Sequence, residues 1–414
     1  MGRPQPSPAK IPLPDGPVAY LTGQYPRASH TFILREVAAL RRLGVDVRTC
    51  SVRREPPTEL IGPEEIDEQE RTFHVLSAAK NPFRLLSDHV AAALRAPGAY
   101  LGALALALRT GRPGLVGLAK QLIYFLEAGV LARHLAKEGS VHLHNHFADS
   151  SANLAMITAH MARLPFSFTL HGPAELFEPQ SWALGTKVAR AAFTLCISDF
   201  ARSQAMLFSD RSDWPRLHIV HCGVEPDRYA PTPAPASPRL ALLFVGRLTA
   251  IKGLFVLLEA LSRLPADTAT LTVIGDGPDR AALVEEARRL GLTAQFLGYQ
   301  SQAEVAQALG DADALVLPSF AEGVPVVLME AMASARPVIA TQVGGVSELV
   351  SETTGRLVPP GNADALATAI GALHEMPPDQ RAQMGAAGRA RVLEAFDVDR
   401  EARRIAALLA RRDA

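Results

Sequence analysis

The chain has 414 residues, 48% of them hydrophobic and 20% charged, a composition that builds two or three globular cores at roughly 100–200 residues per domain. Lys plus Arg and Asp plus Glu each number 42, for a formal net charge of zero. With no basic excess, nucleic acid is not expected as a partner. The three cysteines, Cys50, Cys196 and Cys222, form no CxxC pair and no disulfide framework, which suits a reducing compartment.

Residues 1–16 are proline-rich and polar and read as a disordered tail. They lack the apolar stretch of a signal peptide. Residues 17–225 alternate β-branched runs with amphipathic stretches, the pattern of a parallel sheet with crossover helices. Strands are expected over 18–22, 45–51, 141–147, 166–170, 194–197 and 217–221. A helix over 32–43 puts Ile33, Val37 and Leu40 on one face and stops at Gly44. Ser198 and Asp199 start another helix. The longest apolar run, 96–108, contains Pro97 and ends at Arg109, short of the ~18–20 residues that span a bilayer.

Between Lys80 and Lys137 stand eight Lys or Arg and only two acids, Asp88 and Glu127. This segment reads either as helices with solvated basic faces or as a surface for an anionic membrane leaflet or a lipid-linked ligand. Residues 226–239 hold five prolines between Pro226 and Pro238 and read as a stiff extended linker. Residues 240–395 repeat the alternation, with strands over 241–245, 270–274, 294–297, 314–317, 338–340 and 356–358. Residues 396–414 form a helical tail. The expected architecture is α/β: two Rossmann-like, doubly wound domains facing across a cleft, with ligands at the carboxyl ends of the strands.

The chemistry concentrates in the second half. Gly246-Arg247 ends a strand, and Lys252-Gly253 opens the next helix. Two cations at one strand end suit a diphosphate, the Arg as a fork and the Lys as a point charge. Further on, Glu322-Gly323-Val324-Pro325 precedes a helix, with Pro325 expected as its first residue. That helix start offers free N–H groups to a phosphate. Glu330 interrupts the apolar run VVLMEAMA, which argues against a plain solvated face.

Taken in order, Gly246-Arg247…Lys252-Gly253, Gly275-Asp276-Gly277-Pro278, Glu322-x7-Glu330, Gly344-Gly345…Glu348 and Gly355…Pro359-Pro360-Gly361 closely resemble the family-4 retaining glycosyltransferases of GT-B fold. The resemblance implies that Arg247 and Lys252 hold the donor diphosphate and Glu330 the ribose. It implies that Glu322, Gly323 and Val324 contact donor sugar and phosphate, that Gly275 belongs to the donor site, and that Tyr299 lies where relatives hold the nucleobase, largely through backbone. It also implies that His171, after the strand 166–170, meets the donor sugar and the reacting centre. No metal or other cofactor is expected, because the nucleotide sugar (a UDP- or GDP-sugar) is a substrate.

The opening Tyr25-Pro-Arg-Ala-Ser29-His30-Thr31-Phe32-Ile33…Glu36 resembles exopolysaccharide and colanic-acid-type members of the family, with His30 where they carry Glu. Gly23, Ser29 and His30 are therefore candidates for the acceptor side; the plain alternative is that Ser29 or Thr31 caps the helix. His142, His144 and His146 share one face of a strand. With no acidic or thiol fourth ligand evident nearby, a zinc site is disfavoured, and His146 is expected to line the cleft near the acceptor.

Other motifs are discounted. Asp311-Ala-Asp313 precedes a strand and reads as loop residues. Gly275-x-Gly277 lacks the third glycine of a dinucleotide fingerprint. Ser198 lacks the context of a hydrolase nucleophile, and Cys196 reads as inert core. The expectation is a retaining, metal-independent glycosyltransferase, cytoplasmic or on the cytoplasmic membrane face. It would act on a saccharide or lipid-linked saccharide in exopolysaccharide or cell-surface glycan synthesis. A GT-B epimerase or phosphorylase and a catalytically silent subunit are the competing readings.

Overall fold

The computed structural model describes residues 11–27, 30–57, 60, 62–232 and 237–411. Two wholly parallel sheets carry the fold. The first takes β1 (Val18–Gln24), β2 (Val47–Arg53), β3 (Phe73–His74), β4 (His142–His146), β5 (Phe166–Leu170), β6 (Phe193–Cys196) and β7 (Leu217–Ile219), in the order β3-β2-β1-β4-β5-β6-β7. The second takes β8 (Leu240–Val245), β9 (Ala269–Ile274), β10 (Ala294–Gly298), β11 (Ala314–Leu317), β12 (Val338–Thr341) and β13 (Gly355–Val358), in the order β10-β9-β8-β11-β12-β13. In each sheet the winding direction reverses once, between β1 and β4 and between β8 and β11. Such switch points open a crevice at the carboxyl ends of the strands.

The strands follow from their residues. β8 reads LALLFV and β11 reads ALVL, the near-continuous apolar runs of strands covered on both faces. β4 reads HLHNH and is just as buried. Its histidine face is sealed by partners: His142 Nε2 and His144 Nδ1 share the Ser167 hydroxyl at 2.7 and 2.8 Å, and His144 Nε2 meets Thr169 Oγ1 at 3.0 Å.

The basic middle segment forms three helices, Pro82–Arg95, Pro97–Thr110 and Leu115–Glu138. The third is long and apolar enough to cross a membrane, although half of its most apolar stretch is buried in the fold. The apolar run noted in the sequence had missed it, because Lys120 and Gln121 break the run without lowering the mean hydropathy much.

The chain crosses between the halves twice, at one place. Val224 N donates to Phe396 O at 2.9 Å, and Val398 N returns the bond to Val224 O at 3.0 Å. Beyond that crossing, the helix Val398–Leu409 packs on the first half. Val398, Ala402, Ile405, Ala406 and Leu409 join a core with Val37 and Leu40 from the helix Thr31–Arg42. The proline-rich connector is only partly extended: Pro226–Arg228 is a turn of 3-10 helix and Tyr229 is buried. Residues 233–236 of the connector lie outside the described residues.

Candidate functional site

The carboxyl edge of the second sheet gathers the predicted donor residues. Gly246 follows β8 and donates to Ile274 O at 3.0 Å; Gly275 follows β9 and donates to Gly298 O at 2.8 Å. Tyr299, just past β10, is half exposed. The Lys252 turn is brought against the β11 exit by Gly253, at φ 66°. A Cβ there would stand 2.1 Å from Pro318 O, so only glycine allows the approach. Phe320 N then donates to Ile251 O at 2.8 Å. The two segments fixed in this way bring Lys252 Nζ to Glu322 Oε1 at 2.6 Å, and Ser319 Oγ donates to the same oxygen at 2.6 Å. Arg247 is exposed, and its side chain has no partner among the described residues.

Pro325 precedes the helix Val326–Ala333 as its N-cap rather than serving as its first residue. Its extended ψ of 122° delays the helix by one residue, and Val324 is buried beside it. Glu330, in the second turn, is held across the molecule. Its Oε1 accepts from Arg35 Nη2 at 2.7 Å and from the Tyr229 hydroxyl at 2.8 Å. Burial pulls the Arg35 guanidinium towards neutrality, but the Glu330 carboxylate, together with Tyr229 and Glu225, more than offsets this and keeps it charged.

The two halves meet at this edge. A Cβ on Gly323 would lie 2.0 Å from His171 O, and one on Gly172 would lie 2.9 Å from Gly323 Cα, so backbone faces backbone there. Glu348 reaches over to cap the helix Asp199–Leu207, accepting from Asp199 N at 2.8 Å and Phe200 N at 2.9 Å. Ser198 Oγ takes Ala201 N at 3.0 Å on the same helix, the cap expected from the sequence.

On the first half, Gly23 lies within β1 with no atom within 4 Å of where a Cβ would stand, an open position on the cleft side. Ser29 lies outside the described residues. His30 occupies the N-cap position of the helix Thr31–Arg42 without a side-chain cap bond. Its ring lies 4.9 Å from that of Phe147, and burial pushes its pKa down to about 4, with help from Arg27.

Two histidines differ from expectation. His146 is fully buried and does not line the cleft, because β4 lies mid-sheet with helices on both faces. His171 turns its imidazole inward: its Nε2 lies 2.9 Å from His146 Nδ1, and its ring sits 4.8 Å from Phe32 and 4.7 Å from Phe147. Burial, then His146 and His30, hold His171 neutral. The group His171 presents to the opposite lobe is its backbone carbonyl.

Behind this layer stand residues that sequence reasoning missed. Glu175 accepts from His171 N at 2.8 Å and Gly172 N at 2.9 Å, and also from Ala148 N. Lys187 Nζ donates to the carbonyls of Ala148 and Asp149. Burial raises Glu175 to about 7 and lowers Lys187 to about 7.

Glu36 supplies the acid the sequence reading had not seen beside the histidine strand. It accepts from the Tyr20 hydroxyl at 3.1 Å and lies 3.4 Å from His146 Nε2. Glu36, His144 and His146 bring ligand atoms within 4.8 Å of one another, a group able to hold a metal ion, although hydroxyls already occupy both nitrogens of His144. Asp311 and Asp313 sit at the amino end of β11, the edge opposite the site. Asp313 Oδ2 accepts from Ala241 N at 2.8 Å, and Asp311 pairs with Gln307.

Comparison with known proteins agrees with this geometry. Residues 239–376 match the family Glycosyl transferases group 1. The chain is 32% identical to the teichuronic acid biosynthesis glycosyltransferase TuaC of Bacillus subtilis, over 55% of this chain and 60% of that protein. It is 35% identical to the colanic acid biosynthesis glycosyltransferase WcaL of Escherichia coli, over 47% of this chain and 51% of that protein. The chain thus spans a little over half the length of these curated relatives. The fold matches the sucrose-phosphate synthase of Thermosynechococcus elongatus with a TM-score of 0.72 at 20% identity, covering 94% of this chain and 97% of that one. It matches Anabaena HepE, solved in complex with UDP-glucose, with a TM-score of 0.69 at 17% identity, covering 94% and 98%. The architecture is GT-B.

Proposed function

We propose that the chain, whose residues 239–376 match the group 1 glycosyltransferases, moves a sugar from a nucleotide-sugar donor to a saccharide or lipid-linked saccharide acceptor, in the making of an exopolysaccharide or cell-surface glycan. The observation that carries this reading is the convergence of Arg247, Lys252, Glu322 and the start of the helix Val326–Ala333 on one strand edge, facing the other lobe. The difficult step is departure of the nucleoside diphosphate as positive charge grows on the sugar. Arg247, Lys252 and the amides at the helix start offset the charge growing on the leaving phosphates. When donor arrives, its phosphates compete with Glu322 for the Lys252 ammonium and release the carboxylate towards the sugar.

The reaction retains anomeric configuration and needs no metal. The leaving phosphate takes the acceptor proton on the face it departs from, beside the His171 carbonyl. The names of TuaC and WcaL, and the UDP-glucose bound by HepE, support donor and product classes of this kind. Proton NMR of the product tests the stereochemistry: an inverted anomer contradicts it. Activity after exhaustive chelation tests metal independence, and restoration only by added divalent ion contradicts it.

Work at the cytoplasmic face of a membrane belongs to the same proposal. Phe83, Leu94, Leu115 and Val116 are 82%, 80%, 84% and 73% exposed, on helices where Asp88 and Glu127 are buried and the third acid, Glu138, is exposed at the end of the last helix, 3.9 Å from Arg48. Cations outnumber acids at that surface, so apolar side chains and positive charge together suit an anionic leaflet.

A further inference from the structure

Glu330 is the carboxylate that the donor reading assigns to the ribose, and its two oxygens are not equivalent. Oε1 takes two donors, Arg35 Nη2 at 2.7 Å and the Tyr229 hydroxyl at 2.8 Å. Oε2 accepts none among the described residues. Arg35 is itself clamped, since its Nη2 also meets the Tyr229 hydroxyl at 2.9 Å and Gln302 Oε1 at 3.0 Å. It is 3% exposed, and its Nε and Nη1 are buried with no acceptor among the described residues. A buried guanidinium with unmet donors is costly to keep, and an oxygen-rich group entering beside Glu330 would meet them. Arg35 comes from the first half, Tyr229 from the connector, and Glu330 with Gln302 from the second half.

We infer that Arg35 and Tyr229 are positioning residues for the ribose. By saturating Oε1 of Glu330 they present Oε2 to the sugar diol, so that recognition of the nucleotide is completed from outside the lobe that binds its phosphates. The inference rests on the donor reading of Glu330. It explains why a carboxylate in the helix Val326–Ala333 is bonded to a residue 295 positions away. A pair held only for stability would have no reason to leave one oxygen and three guanidinium N–H groups open.

The test is calorimetric titration of UDP, GDP or ADP, whichever binds the intact chain, beside its 2′-deoxy counterpart. The unmodified protein is expected to prefer the ribonucleotide by about ten-fold or more, the scale of a hydrogen bond to a charged acceptor. Arg35→Ala and Tyr229→Phe should each weaken ribonucleotide binding and shrink that preference, with deoxynucleotide affinity changing less. Arg35→Lys keeps the charge and one donor and should recover part of the preference. A merely structural role would lower both affinities together and leave their ratio alone. Tyr229→Phe removes one oxygen and keeps the packing, so it decides the matter if Arg35→Ala fails to fold. An unchanged ratio in both variants, tighter nucleotide binding in Arg35→Ala, or no ribose preference in the unmodified chain would overturn the inference. If Glu330→Ala binds both nucleotides as the unmodified chain does, the donor reading of Glu330 fails instead.

Discussion

At the residue scale the proposed chemistry rests on Arg247 and Lys252, and the two differ. Arg247 is exposed and without a side-chain partner among the described residues, whereas Lys252 is tied to Glu322 at 2.6 Å. Replacing either by Ala is expected to lower kcat/KM by about 2–4 kcal/mol of transition-state stabilisation, the scale of losing one preorganised donor to a developing anion. Steady-state kinetics read this directly, and near-normal turnover in both variants would contradict the assignment. The motif glycines and charges of the second half were legible because each acts within a few residues of a strand end. The Arg35–Glu330 and Tyr229–Glu330 contacts were not, because they join positions 295 and 101 residues apart. Only the oddity of Glu330 in an apolar run hinted at them. His171 was rightly placed at a strand end, yet its side chain turns inward. Sequence locates a backbone turn more readily than it decides which of ring or carbonyl faces the cleft.

At the scale of elements, the buried histidines of β4 and of the start of the helix Thr31–Arg42 are expected to limit the acid tolerance of the first half. Burial pushes His142 down to about 4, as it does His30, with Arg27 adding to the effect there. The unfolded chain, with histidines near 6.5, takes up protons first. Stability is therefore intact above about pH 6.5 and is lost as pH falls through that value towards 4. Each such histidine is expected to cost about 1 kcal/mol between pH 7 and 5.5. His142→Gln should flatten that slope by the same amount in urea unfolding at the two pH values; an unchanged slope would place the acid sensitivity elsewhere. Alternation of His, Leu, His, Asn, His marked a strand with two faces, but the sequence did not say that both are covered. The answer came from Ser167 and Thr169 on the neighbouring strand. The helices around Phe83 and Leu115 make the opposite case: apolar residues left outside. Phe83→Asp with Leu115→Asp should abolish sedimentation with anionic vesicles while leaving turnover on a soluble acceptor intact. Retained vesicle binding would remove the membrane-facing role.

Considered as a whole molecule, the two lobes are joined by a double crossing at Val224 and Phe396–Val398 and touch again where Gly172 meets Gly323 and where Glu348 caps the helix Asp199–Leu207. The two parallel sheets and their cleft were readable from alternating elements and the proline-rich break. The docking of the helix Val398–Leu409 on the first lobe was not: its amphipathic face shows that it is buried and leaves the partner unnamed. Under the proposed function the cross-lobe contacts are expected to bear on catalysis, since lobe closure would exclude water from the breaking bond. Glu348→Ala is expected to lower kcat while leaving the affinity for free nucleotide nearly unchanged; an equal loss in both would mean that Glu348 serves the donor pocket and not closure. The most direct test of the whole account is a crystal structure of the chain with a bound nucleoside diphosphate. The two phosphates should lie within hydrogen-bond reach of Arg247 and Lys252 and against the start of the helix Val326–Ala333, with Lys252 drawn away from Glu322. Phosphates bound elsewhere, with the Lys252–Glu322 pair undisturbed, would contradict it.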